Sequence, residues 1–392
     1  MEIRPLNAKE RGEGYKMFAF CFHVRTDKAE ERAKEAEKET CEDWGAFTED
    51  GVLAARIINN HYTYYLNGKP VQGGGIGAVS TLPEYRDRGA VRAIFKKLLN
   101  EAYRRGEVIS ALYPFNHAFY RKQGYETCVY KNVYTFPVST LSDYRFSGEC
   151  VMYREGSDIS EYKALYDRFA FRYNMGISRT DEMMKEHLKV EVPLRDRRFT
   201  YLLSENGQAL AYITFTDIYH DPMPILRVDE CVWEEGKGLR AVLGFLARFT
   251  ADYGTVELAL PAGVELMNII HSSDAYSVTK QSRQNFMVRA VNAEKLLGTV
   301  SVPAGRSFTV RVTGDRQIDE NNRTFAVTEN GVTESDASLP DLTVSVQALA
   351  QLCTGAMAPD SAALREDVQI NGNSELLAAV FTRKTILCTE DF

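Results

Sequence analysis

The sequence contains no CxxC motif, although seven cysteines occur along its 392 residues. They are odd in number and widely scattered, which argues against a zinc site and against a disulfide framework. No run approaches the ~20 apolar residues of a membrane-spanning helix. The first ten residues are charged and lack the apolar centre of a signal peptide. The sequence therefore predicts a reduced, cytoplasmic protein without a metal site or a membrane span.

Charge and composition are those of an ordinary globular protein, with 44% hydrophobic and 26% charged residues. A chain of this length is expected to hold about two to four domains. The net charge of −7 disfavours a protein that coats nucleic acid and fits a cationic or amine partner.

Periodicity and turn signals predict alternating helices and strands. Residues 13–47 are interpreted as helical, because Asp27–Trp44 consists mostly of good helix formers with a cap at Thr26 or Asp27. A run of antiparallel strands follows up to residue 82, and a helix and another strand complete residues 92–115.

The order strand, glycine, helix, strand then recurs in the second third of the chain, which indicates a repeated supersecondary unit. The second copy carries Glu234 and Glu235 where the first has an arginine-rich turn. Two carboxylates at a helix start would repel a pyrophosphate, so the second copy is interpreted as lacking an anion site. A third unit is predicted to begin near Asn285.

The stretch Ser80–Leu99 ("STLPEYRDRGAVRAIFKKLL") predicts an anion site at a helix N-terminus. Apolar residues follow one helical face from Gly89 onward, and the amides of the first turn lack partners within the helix. Arg86 and Arg88 add full charges beside the positive end of the helix dipole. Gly89 lets a ligand approach the backbone closely. These features describe a phosphate cradle, and an ordinary capped helix with surface arginines is the alternative.

This stretch resembles motif A of the GNAT superfamily of acyl-CoA-dependent N-acyltransferases, P-x-Y/W-R-x-x-G-x-G/A, here Pro83 to Val91. Many members have Gly or Ala at the position of Val91, where only a backbone amide is required. The resemblance implies that the turn binds the pyrophosphate of acetyl-CoA and that the preceding strand pairs with the pantetheine arm. The implied cofactor positions are Val79, Ser80, Thr81, Arg86, Asp87, Arg88, Gly89, Ala90, Val91, Arg92, Phe115 and Asn116.

A second GNAT pattern, F-Y-x-x-x-G-F/Y after a strand and a short loop, matches "LYPFNHAFYRKQGYE" at Leu112–Glu126. The resemblance implies that Tyr120 points at the thioester sulfur. A phenol with a pKa of about 10 can protonate a departing thiolate. The alternative is an aromatic residue of the core.

Two GNAT-like units followed by a sterol carrier protein-like domain resemble the Eis (enhanced intracellular survival) family of N-acetyltransferases. The resemblance implies an α+β fold of mixed, mostly antiparallel sheets flanked by helices. Its implied domains are a catalytic GNAT domain at 1–150, a degenerate GNAT-like domain at 151–284 and a sterol carrier protein-like domain at 285–392. It also implies a hexamer, and a general base formed by the C-terminal carboxylate, here that of Phe392. A frayed terminus is the alternative for the tail.

Four residues are candidates for the acceptor side. Phe22 and Trp44, assigned to the N-terminal helical region, are candidate aromatic walls, although core packing is the alternative for each. Glu390 and Asp391 are expected to line the mouth of the site and attract a cation.

The predicted activity is an acetyl-CoA-dependent N-acetyltransferase that acts on a primary amine of an aminoglycoside- or polyamine-like compound and needs no metal. Three alternatives remain open from the sequence. They are acetylation of a protein lysine or N-terminus, a protein that only binds acyl-CoA, and a lipid carrier built on the C-terminal domain.

Overall fold

The computed structural model describes residues 1–24, 29–38, 41–192, 197–271, 277–390 and 392. They form two compact units. The first combines Met1–Cys128, Asn285–Arg383 and Glu390–Phe392, and the second combines Val129–Gln284 and Lys384–Thr389. Among the described residues, every helix is too short or too polar to cross a membrane.

The N-terminal stretch alternates strands with helices. Its strands are β1 (Glu2–Pro5), β2 (Glu42–Phe47), β3 (Leu53–Leu66), β4 (Lys69–Thr81) and β5 (Ile109–Leu112). Its helices are α1 (Ala8–Cys21), α2 (Ala29–Ala36), α3 (Ala90–Arg105) and α4 (His117–Arg121). A short 3-10 helix at Pro83–Tyr85 connects β4 to α3.

The middle stretch repeats this arrangement. Its strands are β6 (Glu126–Pro137), β7 (Glu149–Met152), β8 (Arg197–Glu205), β9 (Gln208–Ile218), β10 (Ile225–Trp233) and β11 (Thr255–Pro261). Its helices are α5 (Ser160–Phe171), α6 (Asp181–Leu188) and α7 (Glu235–Leu246). Strands β10 and β11 are parallel and flank α7 in sequence, as β4 and β5 flank α3, so the predicted repeat is confirmed.

The C-terminal stretch contributes a separate sheet. Its strands are β12 (Thr279–Ala290), β13 (Ser307–Thr313), β14 (Thr324–Thr328), β15 (Gly331–Glu334), β16 (Leu342–Ser345) and β17 (Val368–Ile370). Its helices are α8 (Ala293–Leu297), α9 (Val346–Thr354), α10 (Pro359–Ala362) and α11 (Ser374–Val380). The last five strands form a sheet in the order β15-β14-β13-β16-β17.

In the first unit, the larger sheet has the strand order β1-β2-β3-β4-β5-β12, mostly antiparallel with one parallel pair, β4 and β5. The second unit has the order β6-β11-β10-β9-β8-β7. Helices flank these mixed sheets, so the predicted α+β fold class is confirmed.

Helix α3 packs on the first sheet through the apolar face that its sequence predicts. Six of its residues are buried in one cluster with side chains of β2, β3 and β4, and they are Ala90, Ile94, Phe95, Leu98, Leu99 and Ala102. Burying the larger of these side chains, the isoleucine, phenylalanine and leucines, stabilises the fold by roughly 1.5–3 kcal/mol each. This packing fixes the position of the N-terminus of α3 relative to β4.

The helical interpretation of residues 13–47 is wrong in its last part. Helix α2 ends at Ala36, and Glu42–Phe47 forms strand β2, which pairs with β1 and β3. Helix propensity is a weak local preference that tertiary pairing overrides. The predicted caps at Thr26 and Asp27 lie outside the described residues.

Candidate active site

Strands β4 and β5 run side by side only from the pair Gly73–Ile109 to the pair Ile76–Leu112. Strand β5 then ends, whereas β4 continues to Thr81 and stays paired with β3 on its other edge. The edge of β4 from residue 77 onward therefore has no β5 neighbour. An open strand edge offers backbone donors and acceptors to an extended ligand.

A β-bulge lies in this open part of β4. The register with β3 shifts between Arg56 and Ile58, opposite Ser80 and Gly77. Ala78 has a positive φ of 50°, and the Ser80 hydroxyl donates a hydrogen bond to its carbonyl oxygen at 2.9 Å. Because a bulge bends a strand and re-aims its groups, it directs the end of β4 along the cleft described below.

The turn after β4 reverses the chain into α3 through two residues with positive φ, Asp87 at 62° and Gly89 at 78°. Gly89 is the N-cap, and no side chain caps the first turn of α3. The first amides of the helix are therefore available to an anion, beside the positive end of the helix dipole. A side chain at position 89 would strain this backbone.

A cleft of about 1020 Å³ opens at this helix N-terminus. All the predicted cofactor positions line it except Asn116. The other lining residues are Cys21, Phe22, Tyr85, Phe119, Lys122 and Gln123. The predicted residues of the β4 end, the arginine turn and the α3 start are thus brought together in one cavity.

Positive charge dominates this cleft, because Arg86, Arg88, Arg92 and Lys122 face a single carboxylate, that of Asp87. The Arg86 Nε donates to the carbonyl oxygen of Thr81 at 3.4 Å, and the Arg88 guanidinium lies 5.6 Å from the ring centre of Tyr85. The arrangement suits a ligand with several phosphate charges.

Phe392 packs against β4 at Gly75 and Gly77, where the pairing with β5 ends. The ring of Phe392 packs 5.4 Å from Tyr62, 5.7 Å from Tyr113 and 5.4 Å from Phe286, measured between ring centres. Its carboxyl carbon lies 2.7 Å from where a Cβ on Gly77 would be. The backbone carbonyl group of Phe392 is therefore in van der Waals contact with the face of β4 at Gly77, next to the stretch that β5 leaves unpaired.

Glu390, two residues before Phe392, is also held in place. The hydroxyl of Tyr113 donates a hydrogen bond to the carbonyl oxygen of Glu390 at 2.8 Å, and Glu390 is only 4% exposed. This residue is buried and does not line the cleft at α3. Asp391 lies outside the described residues.

Tyr120 lies on α4 and is 2% exposed. Its ring packs edge-on against Phe115 and Phe119, both of which line the cleft, whereas Tyr120 itself does not. Its hydroxyl makes no hydrogen bond with any residue that the structure describes. Burial raises the pKa of Tyr120, with a smaller contribution from Tyr125, so the phenol stays protonated through the neutral range.

The structure places the remaining predicted residues, Phe22, Trp44 and Asn116, in three different surroundings. Phe22 lines the cleft and is 49% exposed. Trp44 belongs to β2 rather than to a helix and is buried in the core cluster at 7% exposure, as the core-packing alternative expects. The Asn116 side chain caps α4 by accepting a hydrogen bond from the amide of Phe119 at 3.0 Å.

Sequence reasoning missed the residues that surround the tail: Gly75, Gly77, Tyr62, Tyr113 and Phe286. The run Gly73-Gly74-Gly75 together with Gly77 inside a strand was the available signal, because glycine in a strand often marks close approach of another backbone. Within the described part of the chain, no group of three His, Cys, Asp or Glu side chains is arranged to hold a metal.

Comparison with known protein families identifies a domain in each of the two terminal parts of the chain. Residues 2–128 match the family of acetyltransferase (GNAT) domains, and residues 293–389 match the family of sterol carrier protein domains. None of the curated proteins matches the chain.

Solved structures share its fold over the whole length. A GCN5-related N-acetyltransferase from Anabaena variabilis is 20% identical with a TM-score of 0.86, and 100% of each chain is covered. A probable N-acyltransferase from Enterococcus faecalis is 18% identical with a TM-score of 0.87, with 100% of this chain and 99% of that chain covered. Eis1 from Mycobacterium abscessus is 18% identical with a TM-score of 0.82, and 100% of each chain is covered. The chain is therefore an N-acetyltransferase that joins a GNAT acetyltransferase domain to a C-terminal sterol carrier protein domain, in a fold shared with Eis1.

Proposed function

We propose that this enzyme transfers the acetyl group of acetyl-CoA to a primary amine of a cationic small molecule of aminoglycoside or polyamine type. GNAT domains use acetyl-CoA, and the positively charged cleft at the start of α3 suits its diphosphate. The observation that carries the proposal is the position of the Phe392 carboxylate over the face of β4 at Gly77, close to the unpaired end of the strand where the pantetheine arm is expected.

The coenzyme is held mainly by backbone. The amides at Gly89, Ala90 and Val91 and the guanidinium groups of Arg86 and Arg88 bind the diphosphate. The open edge of β4 at Val79–Thr81 pairs with the amides of the pantetheine arm. This arrangement would carry the thioester along β4 toward the carboxylate at Gly77.

Acetyl-CoA supplies an activated acetyl group as a thioester. The carboxylate of Phe392 accepts a proton from the substrate ammonium, which frees the nitrogen lone pair to attack the acetyl carbonyl carbon. A C–N bond forms and the C–S bond breaks. The phenol of Tyr120, kept neutral by burial, donates its proton or a hydrogen bond to the leaving sulfur. The attacking nitrogen loses its second proton, which restores the phenol, and the protonated carboxyl group of Phe392 releases its proton to solvent. The products are the acetamide and free coenzyme A.

The surroundings of Phe392 favour a cationic acceptor. Tyr62 and Tyr113, both partly exposed, pack beside its ring, and aromatic faces attract ammonium groups. A carboxylate beside them supplies the opposite charge. The net charge of −7 adds to the negative potential toward which a polyamine is drawn.

Two further properties belong to this proposal. The Eis-like domain order leads us to propose a hexamer, which light scattering on the purified protein would test. We also propose that the enzyme works in the cytoplasm, where acetyl-CoA is made and the seven cysteines stay reduced.

The direct test is release of free coenzyme A thiol from acetyl-CoA in the presence of single amines, with product masses measured. The panel includes polyamines, aminoglycosides, a lysine-containing peptide and a peptide with a free N-terminus. Turnover with multi-amine compounds and not with peptides supports the proposal. Turnover with peptides alone assigns protein acetylation instead. Coenzyme binding without turnover on any amine leaves a protein that only binds acyl-CoA, and fatty-acid binding without coenzyme binding leaves a carrier.

A further inference from the structure

A second cleft, of about 640 Å³, adjoins the first and shares with it Arg88, Gly89, Arg92, Lys122 and Gln123. Its remaining lining residues come from α3 and from the sterol carrier protein domain, and they are Ala93, Lys96, Arg316 and Gln317. Five of the nine lining side chains are cationic and none is a carboxylate. The two domains of the first unit therefore meet at a basic cavity that continues the coenzyme cleft.

Buried hydrogen bonds fix the turn that carries Arg316. One carboxylate oxygen of Asp315 accepts from the amides of Gln317 at 2.9 Å and Ile318 at 3.1 Å. The other accepts from Arg289 at 2.6 Å, and both side chains of this ion pair are fully buried. The backbone of the turn is thus held on both sides of Arg316.

Gln317 joins this turn to the acetyltransferase domain. Its Nε2 donates to the side-chain oxygen of Gln123 at 2.6 Å, and its carbonyl oxygen accepts from Asn100 at 2.8 Å. Gln123 follows α4, and its own carbonyl oxygen accepts from Arg289 at 2.6 Å. Arg316 is therefore presented to the cleft from a rigid base rather than from a loose loop.

The cations of this cleft are largely uncompensated. No carboxylate among the described residues lies within 4.0 Å of the charged nitrogens of Arg88, Arg92, Lys122 or Arg316. Lys96 has Asp319 at 3.7 Å, but that carboxylate is exposed and outside the lining. Such a cluster attracts a group with more than one negative charge.

We infer that this second cleft binds the 3′-phosphate of acetyl-CoA and that Arg316 of the sterol carrier protein domain is one of its ligands. The inference rests on the proposed function, since the diphosphate must occupy the first cleft. The 3′-phosphomonoester is joined to that diphosphate through the adenosine ribose and carries close to two charges at neutral pH. An arginine fork is well suited to bind it through two parallel hydrogen bonds. The sterol carrier protein domain thereby takes part in recognition of the coenzyme.

The test compares binding of coenzyme A and of 3′-dephospho-coenzyme A by titration calorimetry with the full chain. We expect the wild type to bind coenzyme A about tenfold more tightly, the effect of losing one or two charge-assisted hydrogen bonds at a partly exposed site. Arg316→Ala should reduce this ratio to about threefold, and Arg316→Glu should reduce it further, with the affinity for the dephospho form unchanged in Arg316→Ala. Arg306→Ala, which removes an exposed arginine of the same domain away from the cleft, should keep the wild-type ratio.

Several results would overturn the inference. A wild-type ratio near one excludes a 3′-phosphate site, and an unchanged ratio in Arg316→Ala excludes this arginine. Equal loss of affinity for both nucleotides in Arg316→Ala assigns the effect to domain packing, which a lowered melting temperature would also reveal. If the wild type binds neither nucleotide, the proposed function itself fails, whereas tight binding of both forms leaves it standing and removes only this inference.

Discussion

The carboxyl carbon of Phe392 lies 2.7 Å from the position that a Cβ on Gly77 would occupy, closer than any side chain at residue 77 allows. The last residue of the chain and a strand glycine near its beginning are thus in direct contact. Gly75 contributes in the same way, because its Cβ would lie 3.0 Å from the Phe392 ring. The glycines of β4 make room for the C-terminus at the point where the neighbouring strand ends.

Removal of Phe392 should lower kcat by about 100-fold or more, because a positioned general base contributes on the order of 10²–10⁴-fold. Binding of acetyl-CoA should persist, since the cleft at α3 is built from other residues. Thiol release and calorimetry measure the two effects separately. Phe392→Ala is the matched control, because it keeps a terminal carboxylate and loses only ring packing. Full kcat in the truncated enzyme would show that this carboxylate is not the base.

Gly77→Ala should displace the α-carboxylate without removing it. A misplacement of about 1 Å at a reacting group costs roughly 100-fold in rate, so a fall in kcat of this order is expected. Gly236→Ala on α7 provides the comparison, because its added methyl would meet only the flexible end of Arg240. Equal kcat values in the two variants, at equal melting temperatures, would show that the carboxylate of Phe392 takes no part in catalysis.

Local patterns in the sequence are sufficient to predict the fold around the candidate coenzyme cleft. The apolar spacing of α3 and the glycine at its start correspond to elements of the structure. These features depend on neighbours a few residues apart, which a single sequence displays. The positions predicted for the cofactor at 79–81 and 86–92 consequently line one cleft.

Contacts between distant segments could not be predicted in this way. Local helix propensity misassigns residues 42–47 and does not reveal strand β1, because the pairing of β1 with β2 joins segments about 40 residues apart. The aromatic residues around Phe392 come from three separate strands or loops, and no periodicity connects them. The contact between Gln317 and Gln123 likewise joins residues 194 positions apart.

Tyr120→Phe should lower kcat by about 100-fold while coenzyme affinity is retained, because only proton donation to the leaving sulfur is lost. Since burial raises the pKa of Tyr120 above its ordinary value near 10, the phenol should remain protonated up to at least that pH. The wild-type pH–rate profile should therefore show no loss of activity from this residue between pH 7 and 9. Tyr103→Phe on α3 controls for loss of a hydroxyl elsewhere. A kcat of Tyr120→Phe equal to that of the control would exclude the general-acid role.

Reversal of charge at Arg86 and Arg88 together should weaken binding of coenzyme A by about 100-fold, as charge-assisted hydrogen bonds are worth roughly 1.5–3 kcal/mol each and exposed ones less. Arg104→Glu, at the opposite end of α3, serves as the control for charge. The difference between the variants should shrink at high salt, because exposed charges are screened. Unchanged affinity in the double variant would exclude the diphosphate from this turn and would contradict the site itself.

The stability of the fold should depend on pH through His61. His61 on β3 lies between two carboxylates, with Nδ1 3.1 Å from Glu107 and Nε2 3.2 Å from Glu42. The hydrogen bond with Glu107, followed by that with Glu42, raises the pKa of His61 to about 9. The unfolded chain has a histidine pKa near 6.5, so the folded state holds this proton more tightly.

The stabilisation from His61 is therefore fully present below about pH 6.5 and is lost as the pH rises through about 9. The imidazole is about half exposed, so solvent screening keeps the effect modest. The melting temperature of the wild type should fall between pH 6.5 and 9.5, whereas His61→Gln should start lower and fall less steeply. His220→Gln, which changes an exposed histidine of the second unit, should retain the wild-type slope. An NMR titration of the His61 ring gives the direct measurement, and a midpoint near 6.5 would contradict the effect of the carboxylate pair.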